Sequence, residues 1–390
     1  MNQGKYVFAQ IMECVPFYDF NQCVKRYSGH HYIKSFTCWQ QFLSMAFGQL
    51  AYRESLRDVV VCLRAQKTKL YHSGFSSLPA KTTLAVANEK RDWRIYRDFA
   101  QILIQKARKL YFNDATFNLD LDGTCYILDA TTIEICFSIF KWAKYIETKA
   151  AIRIHTSMDL KGNIPAFFHI TTVKTHEVYM LDVIDLEVGA YYVMDRGFLD
   201  YGRLFKMHTA GSFFVVRAKK NMRTKRLYSN RVDKTTGVRC DQVIRFSSTY
   251  GTERYPDKLR GIKYFDKETK RSYVYLTNDF NIEAKTVADL YKNRWQIEIF
   301  FKWIKQHLKI KTFWGYSANA VKTQICIAIC AYLIVAIIKK QLNIDRNLYE
   351  ILQILSVSLF DKTPLNTLLS GGKLQNLEED NQESLFSLGF

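Results

Sequence analysis

Apolar residues recur at helical spacing through the first part of the chain. Phe36, Trp39, Leu43 and Phe47 step by three, four and four, and Leu56, Val59, Val60 and Leu63 keep that period within 54–64. A Gly/Ser/Pro-rich stretch at 73–79 closes this helical set. Further helices are predicted over 82–88 and 92–111, the second with Trp93, Tyr96, Ala100, Leu103 and Ala107 on one side. From Cys125 the period shortens to that of strands. Strands are expected over 125–129, 133–137, 151–158 and 166–171, then a helix over 178–186, a strand over 191–195, a helix over 201–207 and a strand over 213–217. Strands first and α/β alternation afterwards predict an α/β fold, a mixed central sheet flanked by helices.

From 218 the pattern changes again. Segments 242–246, 261–265 and 272–276 alternate apolar and charged residues, as half-exposed antiparallel strands do. The block 218–280 therefore reads as a β-rich insertion. A strong helix over 284–310 follows it. The run 325–338 is 14 residues of almost purely apolar character, short of the roughly 20 that a bilayer span requires. It is expected to be a buried core helix, with no membrane as partner.

Composition adds a partner class. Among 390 residues, 56 Lys+Arg face 37 Asp+Glu, a formal net charge of +19. Such an excess on a chain with ample aromatic residues for a core points to a polyanion, DNA first. The excess is also uneven: 17 basic against 6 acidic residues in 217–271, 17 against 8 in 1–117, and 3 against 7 in 341–390. Two separate DNA contacts are expected, one N-terminal and one in the insertion, with an acidic tail. The N-terminal helices fit a helix-turn-helix reader or a helical cap, and the pattern leaves both open. Nine cysteines with no C-x-x-C pair exclude a zinc ribbon. With no signal peptide in view, a reducing cytoplasm is the expected location.

Asp129 and Asp195 each follow three apolar strand residues. A carboxylate there is either a solvated strand end or a group facing a cation. On a single helix 284–310, Leu290, Ile297, Phe301, Ile304 and Leu308 form an apolar stripe. Tyr291, Arg294, Glu298 and Lys305 fall in a neighbouring arc roughly 60° wide, which would bring Glu298 near both aspartates. Three hard oxygen donors suit Mg²⁺ or Mn²⁺. Two such ions roughly 3.5–4 Å apart serve phosphodiester displacement. The plainer alternative is a surface helix with an Arg294–Glu298 ion pair.

The spacing Tyr291-x2-Arg294-x3-Glu298-x6-Lys305 resembles the Y-R-E-K signature of bacterial insertion-sequence transposases of the DDE class. LDATTIEI around Asp129 and MDRGFLDY around Asp195 resemble the regions of the family's first two catalytic aspartates. The resemblance implies a ribonuclease H-like catalytic core and a catalytic, metal-binding triad of Asp129, Asp195 and Glu298 holding two Mg²⁺ ions, with Mn²⁺ as the other candidate. It further implies DNA contacts through Tyr291, Arg294 and Lys305. The expected activity is cleavage at the element's inverted repeats and strand transfer into target double-stranded DNA, by a homodimer on paired ends. A structure-selective nuclease on the same fold and a DNA-binding regulator with structural carboxylates are the alternatives.

The expected domains are a helical DNA-binding domain at 1–115, the first part of the core at 116–217, the insertion at 218–280, the second part of the core with Glu298 at 281–320, and a C-terminal helical region with the acidic tail at 321–390. No H-E-x-x-H helix, G-x-S-x-G elbow or G-x-x-x-x-G-K-[ST] loop occurs, so zinc-protease, serine-nucleophile and ATP-driven chemistries lack support.

Overall fold

The computed structural model describes residues 4–112, 121, 123–146, 149–308, 310 and 312–370. The acidic tail beyond 370 and the beginning of the expected core at 116–120 lie outside the described residues. The described residues form two compact units. One draws on 1–99, 307–309 and 323–390, the other on 100–306 and 310–322.

The first unit is helical, as its apolar spacing predicts. It opens with α1 (Val7–Glu13), α2 (Phe17–Arg26), α3 (Cys38–Leu50), α4 (Leu56–Ala65), α5 (Lys67–Leu70) and α6 (Lys81–Lys90), and α7 (Arg94–Tyr111) begins in it. Thr37 and Ser55 start α3 and α4 by accepting the Gln40 and Asp58 N–H groups at 3.2 Å, the N-cap arrangement that satisfies orphan donors. Aromatic rings fill its core: Phe20 meets Phe42 and Phe99 at centroid distances of 5.5 and 5.1 Å. The Gln41 amide finds Asn88 at 2.7 Å in the same interior, so that buried polar pair is satisfied.

The second unit is built on one ten-stranded sheet. Its strands are β1 (Cys125–Ile135), β2 (Lys144–Ile146), β3 (Lys149–Asp159), β4 (Ile164–Thr172), β5 (Tyr191–Met194), β6 (Phe213–Arg217), β7 (Thr224–Asn230), β8 (Val238–Phe246), β9 (Leu259–Asp266) and β10 (Arg271–Thr277). Strand β3 lies antiparallel between β1 and β4, while β1, β5 and β6 run parallel. The order β4-β3-β1-β5-β6 with one antiparallel member is a ribonuclease H-like arrangement. Helices α8 (Tyr201–Thr209) and α9 (Thr249–Arg254) accompany the sheet. Tyr126, Leu128, Tyr192, Met194, Phe214, Val216 and Leu276 join Leu204, Met207 and Tyr255 in the core on one face. The opposite face receives α10 (Ala284–Lys292), whose Val287 and Leu290 are fully buried.

The strands of 218–280 continue the same sheet: β10 pairs with β6, and β9, β8 and β7 extend it outward. Two details differ from the sequence reading. The helix expected over 178–186 is a short 3-10 turn, Glu177–Asp182. The two strand pieces at 125–129 and 133–137 are the single strand β1.

The chain continues through α11 (Trp295–His307), α12 (Ala318–Gln341), α13 (Leu348–Ser358) and α14 (Leu365–Ser370). Helix α12 has 24 residues, so the expected length of 14 is too short. Length and composition alone would let it cross a membrane, with a mean hydropathy of 2.2 in its most apolar window, but 94% of that window is buried inside the protein. Burial, not length, makes it a core helix.

Candidate active site

The sheet register brings the two aspartates together. Parallel pairing of β1 with β5 ends at Leu128↔Met194, and that of β5 with β6 ends at Met194↔Val216. One residue further on, Asp129, Asp195 and Arg217 are therefore neighbours in a row on strands about 4.8 Å apart. Paired positions project to the same face, here the face that α10 covers. Asp129 is not at a strand end, as its sequence context suggested: β1 continues to Ile135 against β3. What ends at Asp129 is its β5 neighbour, so the sheet opens beside it.

The single helix expected over 284–310 is two helices with a turn between them. Asn293 Nδ2 donates to the Asp289 carbonyl at 2.9 Å, competing for a helical acceptor as Asn side chains do. The next backbone bond, Arg294 N–H to Tyr291 carbonyl at 3.0 Å, has the tighter 3-10 spacing of a helix end. The stripe of Leu290, Ile297, Phe301, Ile304 and Leu308 is buried as expected. Glu298, in contrast, is more open than a margin position, with its side chain 57% exposed. Trp295, at the start of the same helix, is also 48% exposed.

Of the four signature side chains, Tyr291 and Arg294 bond the aspartates directly. The Tyr291 hydroxyl donates to Asp195 Oδ1 at 3.1 Å. Arg294 Nη1 donates to Asp129 Oδ2 at 3.0 Å, and its Nη2 donates to Glu298 Oε1. Lys305 Nζ donates to the Thr132 carbonyl at 2.9 Å. Lys305 also lines, with Asp129, Glu298, Phe301 and Lys302, an open cleft of about 400 Å³. A second cleft, of about 490 Å³, runs along Asp195 and Arg196 beside His176, Lys219 and Lys220.

Electrostatics mark Asp129 as the strained member. Burial pushes its carboxyl up to about 6, against the opposing pull of the Ala130 N–H and Arg294, while Glu177 and Glu298 push it further up. Burial, and then the charge of Asp195, hold the Tyr291 phenol far above its ordinary range, so it remains a donor. Burial disfavours the Arg294 charge, yet Asp129 and Glu298 more than offset that and leave its pKa raised.

The donor set can be tested against a divalent ion. Among the described residues, no three His, Cys, Asp or Glu side chains converge closely enough to hold one. The local reason is visible: the Arg294 guanidinium stands between Asp129 and Glu298, and Tyr291 occupies Asp195. The chemistry still fits, since Asp129 and Glu298 offer hard carboxylate oxygens and already share one positive charge, that of Arg294.

Sequence reasoning missed two charged neighbours. Arg217 joins the row only through the register of β5 and β6. Glu177 is a fourth carboxylate beside Asp129, with Oε1 3.8 Å from Arg153 Nη2. A Cβ at Gly197 would lie 3.3 Å from its Oε2, a reason for glycine two residues after Asp195. Neither has a local signal; only the order of strands brings them in.

Comparison with known proteins places the chain in a family. The family described as Transposase DDE domain matches residues 120–334, and a domain of unknown function, DUF4372, matches residues 3–76. A Sinorhizobium fredii protein described as a transposase, y4zB, is 30% identical over 290 residues, 73% of this chain and 78% of that one. A Geobacillus stearothermophilus protein, described as the transposase for insertion sequence element IS5377, is 29% identical over 226 residues, 56% of this chain and 59% of its own. Among solved structures, a piggyBac transposase synaptic complex with hairpin DNA aligns over 96% of this chain and 82% of that one, at 10% identity and a TM-score of 0.41. The Transposase DDE domain match covers more than half of the sequence, and the chain belongs to the DDE transposases.

Proposed function

We propose that this transposase cuts DNA at the ends of its own mobile element and joins the freed 3′-OH ends to target DNA, with Asp129, Asp195 and Glu298 holding two Mg²⁺ ions. The observation that supports it most is the register that makes Asp129 and Asp195 neighbours, with Arg294 tying Glu298 to the same place. Divalent ions there supply activation of the attacking oxygen and charge stabilisation of the leaving one. The chain's own groups do the rest. Tyr291 keeps Asp195 aimed through its hydroxyl. Lys305 and the neighbouring Lys302 line the cleft where phosphates of the cleaved strand would lie, and Arg294 reaches it through Asp129 and Glu298.

On this reading the helices within 1–115 hold the inverted repeats, the core is split between 116–217 and 281–320, and 218–280 provides a second DNA contact. A homodimer assembles on paired ends, in the bacterial cytoplasm and on the nucleoid when bound. The test is nicking of a supercoiled donor carrying the element ends, with Mg²⁺. Asp129→Ala, Asp195→Ala and Glu298→Gln are each expected to lose at least about 100-fold in rate, on the scale of removing a group that stabilises charge in the transition state. Wild-type nicking by all three variants would reject the assignment.

A further inference from the structure

Arg294 lies where the proposed reaction needs a different cation. Its Nη1 donates to Asp129 Oδ2 and its Nη2 to Glu298 Oε1. The other Asp129 oxygen, Oδ1, accepts the Ala130 N–H at 2.8 Å, so both oxygens of that carboxylate are engaged. On Asp195, Oδ1 accepts from Tyr291. Tyr291 and Arg294, three residues apart at the break between α10 and α11, thus place donors on all three carboxylates.

Depth separates the partners. The Arg294 and Asp129 side chains are 19% and 17% exposed, whereas Glu298 is the open outer arm. A guanidinium and a divalent ion cannot both take Asp129 Oδ2 and Glu298 Oε1 at contact distance, because two cations in a half-buried cleft repel strongly. Arg294 must therefore release at least one carboxylate when an ion takes it. Its backbone lies in the turn between the helices, so its side chain can be redirected without unwinding either of them.

We propose that Arg294 is a resident cation that competes with divalent ions for Asp129 and Glu298, and that DNA phosphate relieves the competition by drawing the guanidinium away. The proposal rests on the metal-holding reading of Asp129, Asp195 and Glu298 given above. Its consequence is coupling between the two ligands. DNA raises metal affinity, and by thermodynamic reciprocity metal raises DNA affinity by the same factor. The hydrolytic centre is then assembled chiefly on DNA. A pure clamp, an arginine that orients the carboxylates for the ions, predicts the opposite sign, because removing a clamp weakens metal binding.

The experiment is Mn²⁺ binding to the full-length chain, read by electron paramagnetic resonance of the free ion, with and without a mixed-sequence DNA duplex. Without DNA, Arg294→Met is expected to bind Mn²⁺ more tightly than wild type, within the roughly 5–150-fold range of site-to-site coupling. Adding the duplex is expected to tighten Mn²⁺ binding in wild type and to leave Arg294→Met little changed. Arg294→Lys, which keeps the charge without the two-pronged fork, is expected to fall between them. Binding by a folded Arg294→Met that is equal to wild type or weaker overturns the proposal. Should that variant melt early, a folded Arg294→Lys that binds no tighter than wild type overturns it equally. Failure of the underlying reading looks different: neither wild type with the duplex nor Arg294→Met then binds Mn²⁺, or Asp129→Asn with the duplex binds it as well as wild type does.

Discussion

His155, in β3 beside the aspartate row, shows how burial sets the behaviour of a single side chain. It is 2% exposed, its Nε2 shares a hydrogen bond with Thr171 Oγ1 at 2.9 Å, and its Nδ1 has no hydrogen-bond partner. Burial first, then the Arg153 and His169 charges, lower its pKa from 6.5 to about 4. A histidine depressed in this way is neutral in the folded chain while the unfolded chain still takes up a proton. Above pH 6.5 neither state is charged and nothing is lost. As pH falls from 6.5 towards 4, the unfolded state gains protons and stability drops, by about 3 kcal/mol when the window has been crossed. The amide-exchange protection factors of the β3–β4 strands, taken relative to the intrinsic exchange rate at each pH, are expected to fall through that window in wild type. His155→Gln, which can still bond Thr171, is expected to show a shallower dependence. Parallel pH curves for the two proteins would exclude His155 as the cause.

At the scale of elements, α10 carries the geometry of the site. Its Leu290 is fully buried, and the helix packs on β5, β6, β9 and β10. Leu290→Ala is expected to destabilise by about 2–5 kcal/mol and to slow nicking as well, because Tyr291 and Arg294 follow within about one turn. Ile299→Ala, at a residue 43% exposed on α11, is expected to stay within about 0.5 kcal/mol. The urea midpoints of the two variants distinguish anchoring from general sensitivity of the helices.

What could be read in the sequence was whatever leaves a local period. The buried stripe from Leu290 to Leu308, the strand β6 and the α/β alternation all show it. Strand β7, TKRLYSN, was missed because no residue in it is buried, so it has no apolar face to alternate. The helix break at Asn293 was missed because a short side chain competing for a backbone carbonyl leaves the hydrophobic period almost intact. Asp129 and Asp195 stood out through their apolar lead-ins. Arg217 and Glu177 did not, since their proximity is created by strand order.

Over the whole molecule, the +19 charge becomes an argument about where phosphate can bind. The residues 217–271 hold 17 basic and 6 acidic side chains. Several basic ones are committed inside the protein, notably Arg260, which is buried against Asp241 at 2.8 Å. Those contribute little to DNA binding. Lys225 and Arg226 on β7 and Lys219 and Lys220 before it are exposed, at the outer edge of the sheet and beside the Asp195 cleft. Affinity for duplex DNA should therefore fall steeply with salt. Each phosphate contact adds about 0.9 to the magnitude of the slope of log affinity against log salt. The double variant Lys225→Gln, Arg226→Gln is expected to lower that magnitude by about 2 if both side chains neutralise phosphates. The same change on a buried, paired arginine would instead unfold the strand that holds it. Fluorescence anisotropy of a labelled duplex across a salt series measures the slope. An unchanged slope in a folded double variant would show that the β7 edge stays off the DNA and would move the second contact to the lysines beside Asp195.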